Sequence, residues 1–534
     1  MKDHLIDRTT GQLLVNGEPY LIRGVELHNS TSSDATYLQP LWERCRLAGA
    51  NTVLAPVSWE LLEPSEGEFD FDLVNAMLAG ARSQGLKLVL LWFGSWKNGS
   101  SSYAPAWVKL DPSRFPLQTD ETGQALNNLS PFSAANRDAD ATAFAALMAH
   151  LARVDGSTRT VIMVQVENEA GLLGAARSHA ADAESAWQSP VPDALLEALR
   201  AGASPHVDAP ATADAPTWDG LVGNAGRKAE LFMAWHYAAY VEHVAAAGRE
   251  RYDIPLFVNA WLEAPAPEET SPEGSVFAGG DEPGTFPSGG PLPQVSAAWK
   301  LAAPSIDLLA PDVYFGDFEL PFKAYAETNP ALFVPEIRAD SHGVSYSFLA
   351  IGAYGAIGVA PFGFESLGEE ETRDLRRTYG QLALLEQEVL TAQAQDTVRG
   401  FRVAADDEEV VGLGPYEFLV RAHAPGGGGE PLGYGLLLQH DEHTFTAVGH
   451  GFTALPRLRN GRPAAVLQAD ELVPVDGQLV PQRRLNGDET GSGTLIRISD
   501  TAPVHAFMPI SRAVSGIVRF SVYSLPTHHD RSQD

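Results

Sequence analysis

Val161-Ile162-Met163-Val164-Gln165-Val166-Glu167-Asn168-Glu169 decides how this chain is read. Five of the first six residues are apolar; a carboxylate, an amide and a second carboxylate come next. A short continuous apolar run reads as a strand buried on both faces. Stopping on charged groups, it delivers them to the rim of a sheet, where a ligand reaches them. The pattern recurs in Ala331-Leu332-Phe333-Val334-Pro335-Glu336. Two such glutamates, far apart in sequence, are the groups that acid/base and nucleophilic work on a glycosidic bond requires.

Outward from these two, further runs mark a rhythm: Tyr20 to Leu27, Thr52 to Val57, Leu86 to Phe93, Pro255 to Trp261, Ile306 to Phe315 and Ala356 to Phe364. With Val161 to Val166 and Leu332 to Ile337 they make eight. Helix-like segments lie between them, among them Tyr37 to Ala48, Leu73 to Gln84, Ala139 to Arg153 and Ala229 to Ala247. Eight βα units predict an α/β fold, a (β/α)8 TIM barrel. A hairpin turning on Asn16-Gly17 precedes it. Residues 189–225 read as an irregular excursion in the fourth unit. Residues 263–297, rich in Pro, Gly, Glu and Ser, read as a loop on the barrel's catalytic face.

From about 389 short β-like runs take over, separated by turns at Pro425 to Gly429, Asn460-Gly461 and Asn486-Gly487. This predicts a barrel in residues 1–388 and an all-β, sandwich-like domain in 389–534, with Thr527 to Asp534 frayed.

The net charge of -31 argues against nucleic acid and anionic membranes as partners. One cysteine, Cys45, rules out an intrachain disulfide framework and a cysteine zinc cluster. His440-Asp441-Glu442-His443 has ligand-type residues but reads as a turn in the β domain, so no metal and no cofactor are expected. Met1 to Arg8 carries charges where a signal peptide needs an apolar stretch, and no run reaches membrane-spanning length; the chain reads as cytoplasmic. A homo-oligomer is left open.

Functional groups of such a barrel sit at the strands' C-terminal ends. Taken in order, these ends offer Glu26, Trp59, Trp92 with Trp96, Lys97 and Asn98, then Glu167-Asn168-Glu169. The later strands offer Asn259 with Trp261, Asp312 with Tyr314, Glu336 with Arg338, and Phe362 with Glu365. Carboxylates, amides and aromatic rings together suit a sugar, whose C–H faces stack on rings and whose hydroxyls need polar partners. Strand periodicity does not choose between Glu167 and Glu169, which point the same way along a regular strand.

Gln165-Val166-Glu167-Asn168-Glu169 resembles the acid/base motif of glycoside hydrolase family 35 β-galactosidases. Trp59 through Phe71 (WELLEPSEGEFDF) resembles a second-strand signature shared with family 42, and Leu90 through Gly99 (LLWFGSWKNG) a bacterial family 35-like subgroup whose C-terminal domain has no assigned function. The resemblance implies a retaining barrel glycosidase with Glu169 as acid/base and Glu336 as nucleophile, ending the fourth and seventh strands. It further implies that Asn168 binds the sugar 2-hydroxyl and that Tyr314 hydrogen-bonds Glu336. Glu26, Trp59, Trp92, Trp96, Asn98, Trp261, Arg338 and Glu365 are candidate substrate-binding residues, Arg338 by pairing with a carboxylate of the site.

The chain departs from family 35 at Ala170, where many members have Tyr, and at Glu60 and Leu62, where they carry Asn and His. The expected function is exo-acting hydrolysis of terminal β-linked sugars, β-galactosides first, on a small-molecule or oligosaccharide substrate. Transglycosylation or β-glucoside cleavage at the same site is the alternative. A non-catalytic carbohydrate-binding barrel is the alternative of another class.

Overall fold

The computed structural model describes residues 4–211, 215–263, 280–369, 371–423, 431–485, 487–498 and 513–526. Eight parallel strands close into a barrel: β1 (Ile22–Glu26), β2 (Thr52–Ser58), β3 (Lys87–Phe93), β4 (Val161–Val166), β5 (Leu256–Trp261), β6 (Leu308–Val313), β7 (Val334–Ile337) and β8 (Gly358–Pro361). Each pairs with its sequence neighbours, and β8 closes on β1. All eight apolar runs are barrel strands; Val161–Val166 keeps its bounds, the second gains Ser58, and the other six are shortened.

Side chains alternate across these strands. Val89, Leu91 and Phe93 of β3 join Leu54, Phe257, Leu308 and Phe333 in the barrel interior. Leu88, Leu90 and Trp92 instead pack into the layer between sheet and helices. That layer is built by α1 (Leu41–Leu47), α2 (Asp72–Ser83), α3 (Ala134–Val154), α4 (Ala225–Arg249), α5 (Ser296–Ala302), α6 (Glu319–Thr328), α7 (Ser347–Ala353) and α8 (Glu371–Ala394). The helix expected over Tyr37 to Ala48 is split into Ala35–Leu38 and Leu41–Leu47. Pro40 stands at the break, where it removes a backbone donor.

A small antiparallel sheet, His4–Asp7, Gln12–Val15 and Glu18–Pro19, precedes β1. Its turn is Asn16-Gly17, both with positive φ (56° and 81°), as a two-residue hairpin needs. Ile6, Leu13 and Val15 join the barrel-interior cluster beside Ile22, Ala331 and Ile357, at the strands' N-terminal end, so the hairpin stoppers the barrel floor.

The excursion at 189–225 is more ordered than expected: it holds the helix Asp193–Arg200, which buries Leu195, Leu196 and Leu199, and a two-stranded bridge, Val207–Asp208 with Val222–Gly223. Residues 264–279 of the loop after β5 lie outside the described residues, as do Pro425 to Gly429, Asn486 and Thr527 to Asp534. The change of rhythm expected at 389 falls inside α8, and the strands begin at Val398.

Beyond α8 lie β9 (Val398–Ala404), β10 (Glu408–Leu413), β11 (Tyr416–Ala422), β12 (Leu432–Gln439), β13 (Thr444–His450), β14 (Phe452–Leu458), β15 (Ala464–Val475), β16 (Gln478–Arg484), β17 (Ile496–Ile498) and β18 (Ile517–Ser524). They form a six-stranded sheet, β9-β12-β13-β18-β15-β16, and a four-stranded one, β10-β11-β14-β17. Phe401, Phe418, Phe445, Phe452 and Phe520 fill the core between them. The other face of the larger sheet offers Tyr434, Leu436, Leu438 and Val448 to the barrel's helical layer. There Gly352 of α7 meets Gly400 of β9 so closely that a Cβ on Gly352 would stand 2.4 Å from the Gly400 nitrogen. His440-Asp441-Glu442-His443 is the β12–β13 turn, Asp441 accepting from the His443 and Thr444 backbone N–H groups.

Candidate active site

Parallel register sets three residues level at the mouth of the barrel: Trp261 of β5 pairs with Asp312 of β6, and Asp312 with Glu336 of β7. On β5 and β6 this row continues the interior side chains Phe257 and Asn259, and Leu308 and Ala310. The mouth opens into a cavity of about 410 Å³ whose lining includes Lys97, Glu169, Trp261, Asp312, Tyr314 and Glu336. Phe315, Leu320, Pro321 and Phe362 add apolar lining, and Asn29, Glu263 and Asp317 polar lining.

At the end of β4 the backbone leaves the strand. Glu167 (φ 62°) and Glu169 (φ 42°) both take left-handed conformations, which non-glycine residues seldom adopt without a reason. The two glutamates therefore do not point the same way, contrary to the strand-based expectation. Glu167 turns toward the helical layer, where it accepts from the Trp96 N–H at 2.8 Å and bonds Asp140. Burial, then Asp140, pushes its carboxyl well above the usual range. Glu169 turns into the cavity.

One carboxylate oxygen from each of Glu169, Asp312 and Glu336 lies within 4.8 Å of the others. Among the described residues this trio is also the set able to converge on a cation, with the hard oxygen donors such an ion takes. Asn259 ties the group together. Its Nδ2 donates to Asp312 Oδ2 (2.8 Å), Asn168 Oδ1 (3.0 Å) and Glu336 Oε1 (3.3 Å), and its Oδ1 accepts from the Glu169 N–H (2.9 Å). The Tyr314 hydroxyl donates to Glu336 Oε2 at 2.6 Å. Lys97 places its ammonium 3.6 Å from Glu169 Oε2.

Burial raises the Glu169 carboxyl to about 7; Lys97 opposes the rise and Glu336 adds to it. Glu336 is also raised by burial, against the pull of Lys97, Tyr314 and Asn259. Burial and then Glu336 lift both Glu26 and Asp312 well above the carboxylate range. For Lys97, burial disfavours the charge, but Glu169, Glu336, Glu26 and Asp312 outweigh it and hold the ammonium protonated.

Of the residues singled out from the sequence, Glu169, Glu336, Tyr314 and Trp261 line the cavity. Glu26 is buried beside them, its Oε2 without a hydrogen-bond partner. The Asn98 side chain bonds Glu169 while its Oδ1 caps the turn to Ser101.

The others are corrected. Trp59, Trp92 and Trp96 are not sugar platforms. Trp59 is sealed in with its Nε1 on Glu63 Oε2 (2.7 Å); Trp92 faces the helices, donating to Asp140 Oδ1 (2.9 Å); Trp96 donates to the Leu129 carbonyl (3.1 Å) and packs on Tyr237 and Tyr240. Arg338 pairs with Asp340 rather than with a carboxylate of the cavity. Glu365 ties the end of β8 to the loop after β1, accepting from the His28 N–H (2.8 Å) and the Thr31 hydroxyl. Asn168 is buried with its amide engaged at both ends, Nδ2 on the Lys97 carbonyl (2.7 Å) and Oδ1 accepting from Gln165 and Asn259. These bonds brace it against the ends of β3 and β5 and occupy one of its two Nδ2 hydrogens. Lys97, Asn259 and Asp312, noted at strand ends but given no role, prove central.

Residues 12–233 match the model of glycosyl hydrolases family 35, and residues 375–497 that of DUF5597, a domain of unknown function. A β-galactosidase of Xanthomonas manihotis is 32% identical over 104 residues, 18% of this chain and 17% of that protein. The solved β-galactosidase of the psychrophilic Marinomonas ef1 aligns with TM-score 0.45 and 15% identity, over 70% of this chain and 61% of its own. That of Bacillus circulans sp. alkalophilus aligns with TM-score 0.46 and 14% identity, over 69% and 57%. Each match spans less than two thirds of the relative's length. The family 35 resemblance read from the motifs is thus met by a family match over residues 12–233, with a DUF5597 match over residues 375–497.

Proposed function

We propose that the chain is a retaining, exo-acting β-glycosidase, acting first on β-galactosides, with Glu336 as nucleophile and Glu169 as acid/base. One distance carries the retaining assignment. One oxygen of Glu169 and one of Glu336 lie within 4.8 Å of each other, which suits carboxyls roughly 5 Å apart, as in retaining enzymes, better than roughly 6.5–9.5 Å apart, as in inverting ones, which must admit a water between them. Galactose is favoured by the Xanthomonas manihotis relative, a β-galactosidase. Exo action is favoured by a cavity of about 410 Å³ that gathers the carboxyl groups, Lys97 and aromatic side chains in one space. A terminal sugar sits against the carboxyl groups and the aglycone toward the mouth.

Glu336, oriented by Tyr314 and Asn259, attacks the anomeric carbon while Glu169 protonates the leaving oxygen. With its carboxyl near 7, Glu169 holds that proton at neutral pH. Once Glu336 is esterified its charge is gone, the repulsion that raised Glu169 falls, and Glu169 becomes the base that activates water.

Azide tests both roles at once. Glu336→Ala loses about 10⁴-fold or more in kcat on nitrophenyl β-galactoside, and azide restores turnover as the α-glycosyl azide. Glu169→Ala with azide gives the β-glycosyl azide. Unchanged turnover in Glu336→Ala, or azides of the opposite configurations, overturns the assignment. A wild-type chain that binds sugars and cleaves none of a nitrophenyl β-glycoside panel is a sugar-binding barrel instead.

A further inference from the structure

Lys97 is buried, yet it lines the cavity and keeps 10% of its side-chain surface open. Its backbone is pinned: the N–H donates to the Ser101 carbonyl at 3.1 Å, and the carbonyl accepts from Asn168 Nδ2 at 2.7 Å. An ammonium carries three donors. Among the described residues its ion-pair partner is Glu169 Oε2, 3.6 Å away and long for a hydrogen bond. At least two of the three hydrogens therefore find no acceptor among those residues. A buried charge short of hydrogen bonds is costly, and beside an open cavity the missing acceptor belongs to a ligand. Resting on the glycosidase reading, we infer that the Lys97 ammonium donates to a hydroxyl of the terminal sugar.

The neighbours set the chemistry of that acceptor. Glu169, Glu336, Glu26 and Asp312 all act on this ammonium. A further carboxylate, such as a uronic acid brings, is repelled by the four already there, so the acceptor is neutral. A neutral sugar offers its hydroxyls, its glycosidic oxygen and its ring oxygen. The glycosidic oxygen takes its proton from Glu169 in the proposed chemistry. A cation at the ring oxygen would oppose the positive charge that builds there in the transition state. The hydroxyls remain. Asp312 Oδ1 and Glu26 Oε2 also lack partners, but both atoms are sealed from the cavity.

Charge suits the task. The four carboxyls hold Lys97 protonated against its burial, and a charged donor makes a stronger hydrogen bond than a neutral one. The same ammonium then meets both Glu169 and the sugar, so it helps seat the sugar beside the acid/base as well as setting the charge around it.

The test crosses two changes, the side chain and the hydroxyl. kcat/KM is measured, each variant at its own pH optimum, for wild type, Lys97→Met and Lys97→Gln. The substrates are the nitrophenyl β-glycoside cleaved fastest and its 2-, 3-, 4- and 6-deoxy counterparts. A change in the charge of the site alone lowers every substrate by one factor and cancels in their ratios; a lost contact does not cancel. In wild type, dropping the contacted hydroxyl costs about 10²-fold or more. In Lys97→Met, similar in length but without donors, that one penalty shrinks to within about tenfold, because the partner is already gone, and the other penalties hold. Lys97→Gln, whose donors reach less far, gives an intermediate penalty and serves where the methionine variant does not fold. Deoxy penalties unchanged in the variants, or all shrinking together, overturn the contact. Wild type inert on every fully hydroxylated glycoside overturns the hydrolase reading itself, a distinct result, and the contact falls with it.

Discussion

Lys97 shows how far one side chain sets the chemistry around it. Its ammonium faces Glu169 at 3.6 Å and feels Glu336, Glu26 and Asp312 as well. Without it, burial would lift Glu169 and Glu336 further, and the nucleophile must be ionised to attack. Lys97→Met therefore moves both limbs of the kcat/KM pH profile toward higher pH and lowers kcat at pH 6 by about 10²-fold. A profile left in place would remove Lys97 from the chemistry. The two limbs belong to the carboxyl pair as a unit. In the sequence, Lys97 is one lysine in a polar loop, and such residues are usually solvated. Its burial comes from Trp96 and Asn168, whose backbones bond each other across the gap between β3 and β4. Tyr314 and Glu336 were legible because each ends an apolar run, Glu336 within the ladder and Tyr314 one residue past it.

At the scale of elements, the strands were easy to read and the backbone just past their ends was not. Val161–Val166 stands as a strand with the bounds its apolar run suggests. Trp92 lies inside the strand Lys87–Phe93, where neighbouring side chains take opposite faces. Its partners Leu88 and Leu90 on the helical side fix its direction, a parity that the run of apolar residues conceals. Glu167 is the converse case, since the left-handed turn overrides parity. The carboxyl pair Glu167–Asp140 is closed in by Gly94, where a Cβ would stand 2.5 Å from Glu167 Oε1 and 2.6 Å from Asp140 Oδ1. Gly94→Ala thus costs about 1–3 kcal/mol in denaturant unfolding and lowers kcat as Trp96 and the β4 end shift. An unchanged midpoint would mean that the pair yields without strain.

Across the whole molecule, the β domain is bound to the barrel by an apolar face, not by a linker. Leu436 and Leu438 of β12 pack on the barrel's layer, while Leu437 between them packs inside the sandwich. Burial on both faces explains an unbroken Leu436-Leu437-Leu438 run in an antiparallel strand, where one-sided burial would alternate. Residues 1–394 expressed alone expose the helices that this sheet covers. In size-exclusion chromatography that fragment elutes as aggregate, whereas the full chain elutes as a discrete species. A monomeric, active fragment would show the domain to be dispensable for folding.

The hairpin under the barrel has a consequence for traffic. With Ile6, Leu13 and Val15 stoppering the floor, the doorway that the described residues give the vessel is the mouth above the strand ends. Under the proposed chemistry the aglycone must clear that doorway before water can enter behind it, and the freed sugar must leave through it last. The order of departure is thereby written into the plumbing, and bulk at the doorway governs how fast the vessel empties.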